Sequence, residues 1–425
     1  MNTDEHRLKK TKRLYLCASV FICGSILIGC SPKRSTDKPV TIEPPPPQPV
    51  SASMSVAEAM KLIDTRDDWT KHPPINVPRH PAEKFLKDLT IVIDPGHGGE
   101  DGGNTSTQPA GYKAGKGGEK EAHINLRVAL LLERLLKDAG CDVVMTRHGD
   151  DTIGLRARAD VANNVKRRRD GGVGADLFVS IHHNAGAKGS NYTSVWYHGS
   201  VDDNEPDLDV ARYLALELGR AQRTQVAKTS PIFSSQLMYG SGFGVLRATN
   251  MPAVLCECSF FSDREEEYRL RDAGYNLRQA YALYTGLCEW AWCGRPTQTT
   301  PLVKSEGDKL TLTTTLDEGL PPWWGVDRSR ILRSSVNVTL DNKTVPLVFD
   351  ELARTVTATL PTASMIGEHD IVIHHENFLK NSNWPQRYAL DDGKIRPLPS
   401  RRPSRPPATR PINRPATTRA TVASD

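Results

Sequence analysis

The amino-acid sequence predicts an α/β protein: a mixed twisted sheet with helices on both faces, followed by a small β-sandwich. Three observations carry that expectation. From Asp88 to about Cys293, apolar runs of strand length alternate with runs of helical period, as in a single sheet covered by helices. Beyond Leu310 the pattern changes to polar–apolar alternation, with Asp341-Asn342 and Gly367 as turns, which suits paired antiparallel sheets. Side chains able to bind metal or move protons fall at the ends of the apolar runs, where α/β sheets place their sites.

The elements follow in order. Leu89-Thr90-Ile91-Val92-Ile93 is a continuous apolar run before a glycine-rich loop, as a strand buried on both faces requires. Ile124, Val128, Leu131, Leu132 and Leu135 recur at helical spacing and stop at Gly140, a good helix terminator. Val143-Val144-Met145 reads as a strand and residues 155–164 as a helix. Residues 177–181 form a buried strand, 194–197 an edge strand, 208–220 a helix, 253–256 the last strand and 276–292 the closing helix. These bound a catalytic body over residues 88–296. Strands at 310–316, 336–340, 345–349, 356–360 and 369–374 make an immunoglobulin-like sandwich over 305–392, in which Trp323, Trp324 and Trp384 either stack on sugar or cap the fold.

The ends indicate where such a protein works. Lys9, Lys10, Lys12 and Arg13 precede an apolar stretch, residues 14–28, too short for a comfortable membrane span. It closes on Leu27-Ile28-Gly29-Cys30, which resembles the lipobox of bacterial lipoproteins. The resemblance implies a signal peptide over residues 1–29, a lipid on Cys30 and an exported protein anchored to a membrane. Ser31 resembles the outer-membrane sorting pattern, on the periplasmic side, where a cell has two membranes. Residues 30–87 then read as a lipidated linker with Pro44-Pro45-Pro46-Pro47 as a stiff spacer. Residues 393–425 are rich in Arg-Pro pairs and poor in apolar residues. They are expected to form a disordered tail and to touch anionic lipid or wall polymer. The formal charge of +5 depends heavily on that tail, and export makes nucleic acid a poor partner. Of the eight cysteines, Cys17 and Cys23 leave with the signal and Cys30 is acylated. The remaining odd set cannot all pair, and no Cys-x-x-Cys offers a zinc ribbon.

Four stretches carry the chemistry. Glycines around His97 let the backbone turn sharply and leave the ring uncovered. His182 and His183 adjoin on a strand and face opposite sides, with Phe178, Ser180 and His182 sharing one face; spacing does not choose between the two rings. Glu121 opens a helix on its apolar stripe, where a carboxylate caps the helix or meets a cation. Glu257 ends an apolar strand, where burial raises a carboxyl's pKa and suits it to acid–base work. The other use for it there is an ion pair with Arg247 or Arg158. Two imidazoles and a carboxylate match the His₂Glu set of catalytic zinc sites, which leave one position open.

Together these stretches resemble the zinc-dependent N-acetylmuramoyl-L-alanine amidases of the amidase type 3 group, from about Leu89 to Leu287. The likeness rests on Asp94-Pro95-Gly96-His97-Gly98-Gly99, on Glu121-x-x-x-Asn125-Leu126, and on Thr146-Arg147 with Leu155-x-x-Arg158 and Ala162-Asn163. It continues through Ser180-Ile181-His182-His183-Asn184, Gly244-Val245-Leu246-Arg247 and Met251-Pro252-Ala253-Val254-Leu255-Cys256-Glu257. It implies one Zn²⁺ on His97, Glu121 and His182, with Glu257 handling protons. The implied reaction is hydrolysis of the amide between N-acetylmuramic acid and L-alanine in peptidoglycan. Three departures stand out: a long loop before Glu121, Glu119 as a competing ligand, and Cys258, a thiol next to Glu257. Residues 184–244 are expected to hold one ordinary helix and no segment blocking the site. The alternative function is a catalytically weak homologue that binds peptidoglycan or regulates.

Overall fold

Ile91, Val92 and Ile93 are fully buried, as are Leu177, Phe178, Val179 and Ile181. Strands apolar on both faces belong in the middle of a covered sheet. The computed structural model describes residues 53–65, 73–99, 115–199, 205–224, 230–306, 309–321, 329–361, 369–391 and 394–398. In it β1 (Thr90–Pro95), β2 (Asp142–Met145), β3 (Leu177–Asn184), β4 (Ser194–Tyr197), β5 (Ile232–Ser234) and β6 (Ala253–Phe260) form one sheet. Its order is β2-β1-β3-β6-β4-β5. β2, β1, β3 and β6 run parallel, whereas β4 is antiparallel to β6 and parallel to β5. The sheet is therefore mixed, as expected. The signal segment, Cys30, residues 44–47, Trp323, Trp324, Gly367 and most of the Arg-Pro tail lie outside the described residues.

The helices are α1 (Val56–Thr65), α2 (Glu121–Asp138), α3 (Leu155–Asn164), α4 (Glu205–Gln222), α5 (Gly244–Ala248), α6 (Arg264–Leu270) and α7 (Ala273–Trp292). α2, α4 and α7 cover the face bearing Ile91, Ile93, Val179, Ile181, Val254 and Cys256. α3 and α5 cover the face bearing Val92, Phe178, Ala253 and Leu255. Side chains alternate between these two cores along each strand, so the parity of a residue decides which helices it meets.

Three expectations are corrected. β4 is not an edge strand: the three residues of β5 pair outside it, a run too short to read from periodicity. Residues 53–86 are more than a linker. Met54 bridges to Ile75, and Met54, Ala59, Ile75, Ala82 and Leu86 are buried in the larger core. Their apolar positions are diluted by Pro73, Pro74, Pro78 and Pro81, which hides the signal. The tail begins as structure, because β16 (Lys394–Pro397) pairs with β15 (Gln386–Asp391).

The C-terminal region holds two antiparallel sheets. One contains β7 (Thr297–Gln298), β9 (Lys309–Asp317), β12 (Leu347–Asp350) and β13 (Thr355–Leu360), with β8 (Leu302–Glu306) paired to β9. The other contains β10 (Asn337–Leu340), β11 (Lys343–Thr344), β14 (His369–His374), β15 and β16. Leu312, Val356 and Ala358 of the first sheet share one core with Val338, Ile371 and Ile373 of the second. The composition break after Cys293 is not a mechanical break. Asp209 of α4 accepts from the Ser382 backbone N–H at 2.6 Å, and buried Asn377 and Asn381 donate to the Cys293 and Gly294 carbonyls at 2.8 and 2.7 Å.

Candidate metal centre and active site

β1 delivers the chain into a strained loop. His97 has φ 60°, Gly98 130° and Gly99 59°; a non-glycine residue held there costs about 1–3 kcal/mol unless its surroundings impose it. They do. Arg158 donates to the Pro95 and His97 carbonyls, both at 2.7 Å. Arg147 donates to the Pro95 and Gly96 carbonyls at 3.0 and 2.9 Å. Gly96 is required by close approach: a Cβ there would stand 2.2 Å from Nε2 of His182.

Asp94, buried at the strand end, anchors the clamp. It accepts from Arg158 at 2.7 Å, from Thr146 Oγ1 at 2.7 Å and from Ser180 Oγ at 2.8 Å. Burial pushes its carboxyl up, but Arg158 and the two hydroxyls outweigh this and hold it below the usual range. Arg158 is thus committed to Asp94, and Arg247 donates to the Ser241 carbonyl at 2.7 Å. Arg158→Ala would leave a buried carboxylate without its cation, with an expected cost of about 3–5 kcal/mol. Urea denaturation measures it; a loss below about 1 kcal/mol would show that the hydroxyls suffice.

The first residue of α2 turns its carboxylate toward the two imidazoles. Glu121 Oε2 lies 3.2 Å from His97 Nε2, and Oε1 lies 3.0 Å from His182 Nδ1. Oε1 also accepts from the His183 backbone N–H at 3.2 Å and from Asn125 Nδ2 at 3.3 Å. Capping is therefore not what this carboxylate does. Glu119 is occupied elsewhere, by Arg127 at 2.9 Å. Burial raises the Glu121 pKa, but His97 and His182 beside it prevail and hold it well below the usual carboxylate range. Burial lowers His182 despite the pull of Glu121. Burial thus favours the neutral form of the His182 ring beside an ionised Glu121 carboxylate, and deprotonated ligands are what a divalent cation requires.

One ligand atom from each of His97, Glu121 and His182 lies within 4.8 Å of the others. Nitrogen and oxygen ligands of a tetrahedral zinc stand about 3.3 Å apart, close to the two contacts here, so donor types and spacing fit that ion. His97 and His182 each keep 15% side-chain exposure, leaving approach from solvent.

His183 has the opposite parity and a different role. Its ring is buried between Asn125 Oδ1 at 2.8 Å and the Gln279 amide of α7, and burial pulls its pKa down to about 4. Asn125 in turn donates to the Gly96 carbonyl at 3.1 Å, so His183 braces both the His97 loop and Glu121 from behind. Ser180 and Gln279 support the site without belonging to its predicted set. Alternation puts Ser180 on the face of His182; Gln279 carries no local signal.

Glu257 lies in register with His182 on β3 and Ser194 on β4, on the α3–α5 side of the sheet. Both strands run past these residues, to Asn184 and Phe260, rather than ending at them. Cys256 and Cys258 point the other way, into the core beneath α4 and α7. Cys258 is fully buried, its thiol pushed well up by that burial. Strand parity thus turns the thiol away from the face that bears His182 and Glu257. Among the described residues of 184–244 the one complete α-helix is α4, on the far side of the sheet from Glu257.

Residues 91–289 match the N-acetylmuramoyl-L-alanine amidase family. The chain is 28% identical over 262 residues to a probable cell wall amidase LytH of Staphylococcus epidermidis, covering 57% of this chain and 78% of that protein. It is 30% identical over 235 residues to the N-acetylmuramoyl-L-alanine amidase AmiC of Escherichia coli, covering 47% of this chain and 52% of that one. Among solved structures it is similar to the catalytic domain of CwlV, an N-acetylmuramoyl-L-alanine amidase of Bacillus (Paenibacillus) polymyxa. That likeness has 30% identity and a TM-score of 0.39, over 48% of this chain and 97% of the other. Residues 91–289 are therefore an N-acetylmuramoyl-L-alanine amidase family domain.

Proposed function

We infer that the chain is a peptidoglycan amidase that hydrolyses the bond between the lactyl group of N-acetylmuramic acid and L-alanine, with one zinc ion held by His97, Glu121 and His182. The observation that carries this reading is the convergence of those three side chains at one sheet edge, with Glu257 in register beside His182, inside the family domain. A zinc ion there supplies Lewis acidity, polarising a carbonyl and lowering the pKa of water from about 16 toward 7. The chain's own residues do the rest. Glu257 takes the proton of the attacking water on a carboxylate oxygen and returns it to the departing alanine nitrogen. Arg147 and Arg158 hold the His97 loop, and Asn125 with His183 fixes the Glu121 carboxylate. With Cys258 turned into the opposite core, nothing favours an inactive homologue.

The test is digestion of purified peptidoglycan by the full chain before chelation, after it, and after zinc is restored. Stem peptides with a free N-terminal alanine should appear, vanish and return. Cleavage that persists without metal, or new reducing sugar ends in place of free amines, would overturn the reading.

We further propose that Cys30 carries a lipid and tethers the enzyme to a membrane, on the strength of Leu27-Ile28-Gly29-Cys30. Cys30→Ala should release the protein from the membrane fraction or trap its precursor. A variant that fractionates and matures like the natural chain would end that proposal.

A further inference from the structure

We propose that the crevice between residues 115–120 and α6 binds the carboxylates on the peptide limb of the substrate. This rests on the amidase reading above. The crevice has a volume of about 900 Å³, and five cations line it: Lys116, Arg223, Arg264, Arg269 and Arg271.

Two of the three carboxylates that share the crevice are consumed in its floor. Glu266, fully buried, accepts from Asn191 at 2.9 Å, from Tyr275 at 2.7 Å and from Arg269. Glu267, also buried, accepts from the Gly117 and Glu119 backbone N–H groups at 2.8 and 3.0 Å and from Arg271 at 3.4 Å. What remains facing solvent is Lys116, Arg223 and Arg264, all exposed and without an ion pair among the described residues, against the single exposed Glu265. Tyr268, 77% exposed, stands at the rim.

Place and charge together select the ligand. The segment held down by Glu267 runs directly into Glu121, and α6 starts at Arg264, soon after the end of β6, which carries Glu257. The crevice therefore flanks the reacting centre. In the substrate, the lactyl carboxyl is used up in the scissile amide and the N-acetylated sugars are uncharged, so free carboxylates lie on the peptide. That peptide extends away from the alanine nitrogen. A cationic crevice beside the site fits this limb and not the glycan, and paired guanidinium groups suit carboxylates.

The experiment is calorimetric titration of the full chain with an N-lactyl-alanyl tetrapeptide carrying free carboxylates, and with the same peptide fully amidated. The natural chain should bind the acidic peptide more tightly. Lys116→Ala with Arg264→Ala should weaken that binding by about three- to tenfold and leave the amidated peptide unchanged. Equal affinity of the natural chain for both peptides, binding of neither, or equal weakening of both by the substitutions would overturn the assignment. So would loss of binding to a glycerol-phosphate polymer with peptide binding intact, which would give the crevice to an anionic wall polymer. Discrimination between the peptides without any muropeptide hydrolysis would sink the amidase reading while supporting the crevice.

Discussion

Glu257→Gln is expected to leave zinc in place and lower turnover by about 10²- to 10⁴-fold. The residue shares a face with His182 and Ser194 on adjacent strands, yet the cluster able to hold a cation is His97, Glu121 and His182 without it. Glutamine keeps the shape and hydrogen-bonding reach of the side chain and removes its capacity to accept a proton from water. Zinc content by atomic absorption, beside stem-peptide release from peptidoglycan, separates the two roles. Zinc lost in this variant would make Glu257 a ligand; unchanged turnover would remove it from the chemistry.

His182→Ala should lose zinc and activity together, because it leaves two protein ligands where catalytic zinc sites use three. His183→Ala, one residue on, should keep zinc and lose stability instead. Its ring joins Asn125 to Gln279 in a fully buried layer, and orphaning buried polar partners costs about 1–3 kcal/mol. Its contact to Glu121 runs through the backbone N–H, which alanine retains. Metal analysis and thermal unfolding of both variants decide the matter: zinc kept by His182→Ala and lost by His183→Ala would reverse the assignment.

The pair also marks how far one sequence reads. Alternation placed the two rings on opposite faces but could not say which ring meets Glu121; the family pattern chose His182, and its Nδ1 lies 3.0 Å from Glu121 although α2 covers the His183 face. On that strand Leu177, Val179, Ile181 and His183 turn toward α2 and α7, while Phe178, Ser180 and His182 turn toward α3 and α5. The same parity carries Cys258 away from Glu257, its neighbour in the chain. Adjacent residues on a strand are near in sequence and divided by the sheet.

Local order was legible wherever side-chain type and period suffice. β1, β3, β6, α2, α3 and α7 follow from apolar runs, and the His97 loop follows from its glycines. Elements whose existence depends on a distant partner were not. β5 forms because β4 offers an edge, α1 because α2 and α7 offer a surface, and β16 because β15 precedes it. The Arg158 guanidinium joins the His97 loop across 61 to 64 residues of chain, a relation no period encodes. Sequence alone determined which chemistry-bearing residues this protein has and which strands and helices carry most of them. Tertiary structure decided which of them meet, since register and sheet order are set by burying apolar faces against one another.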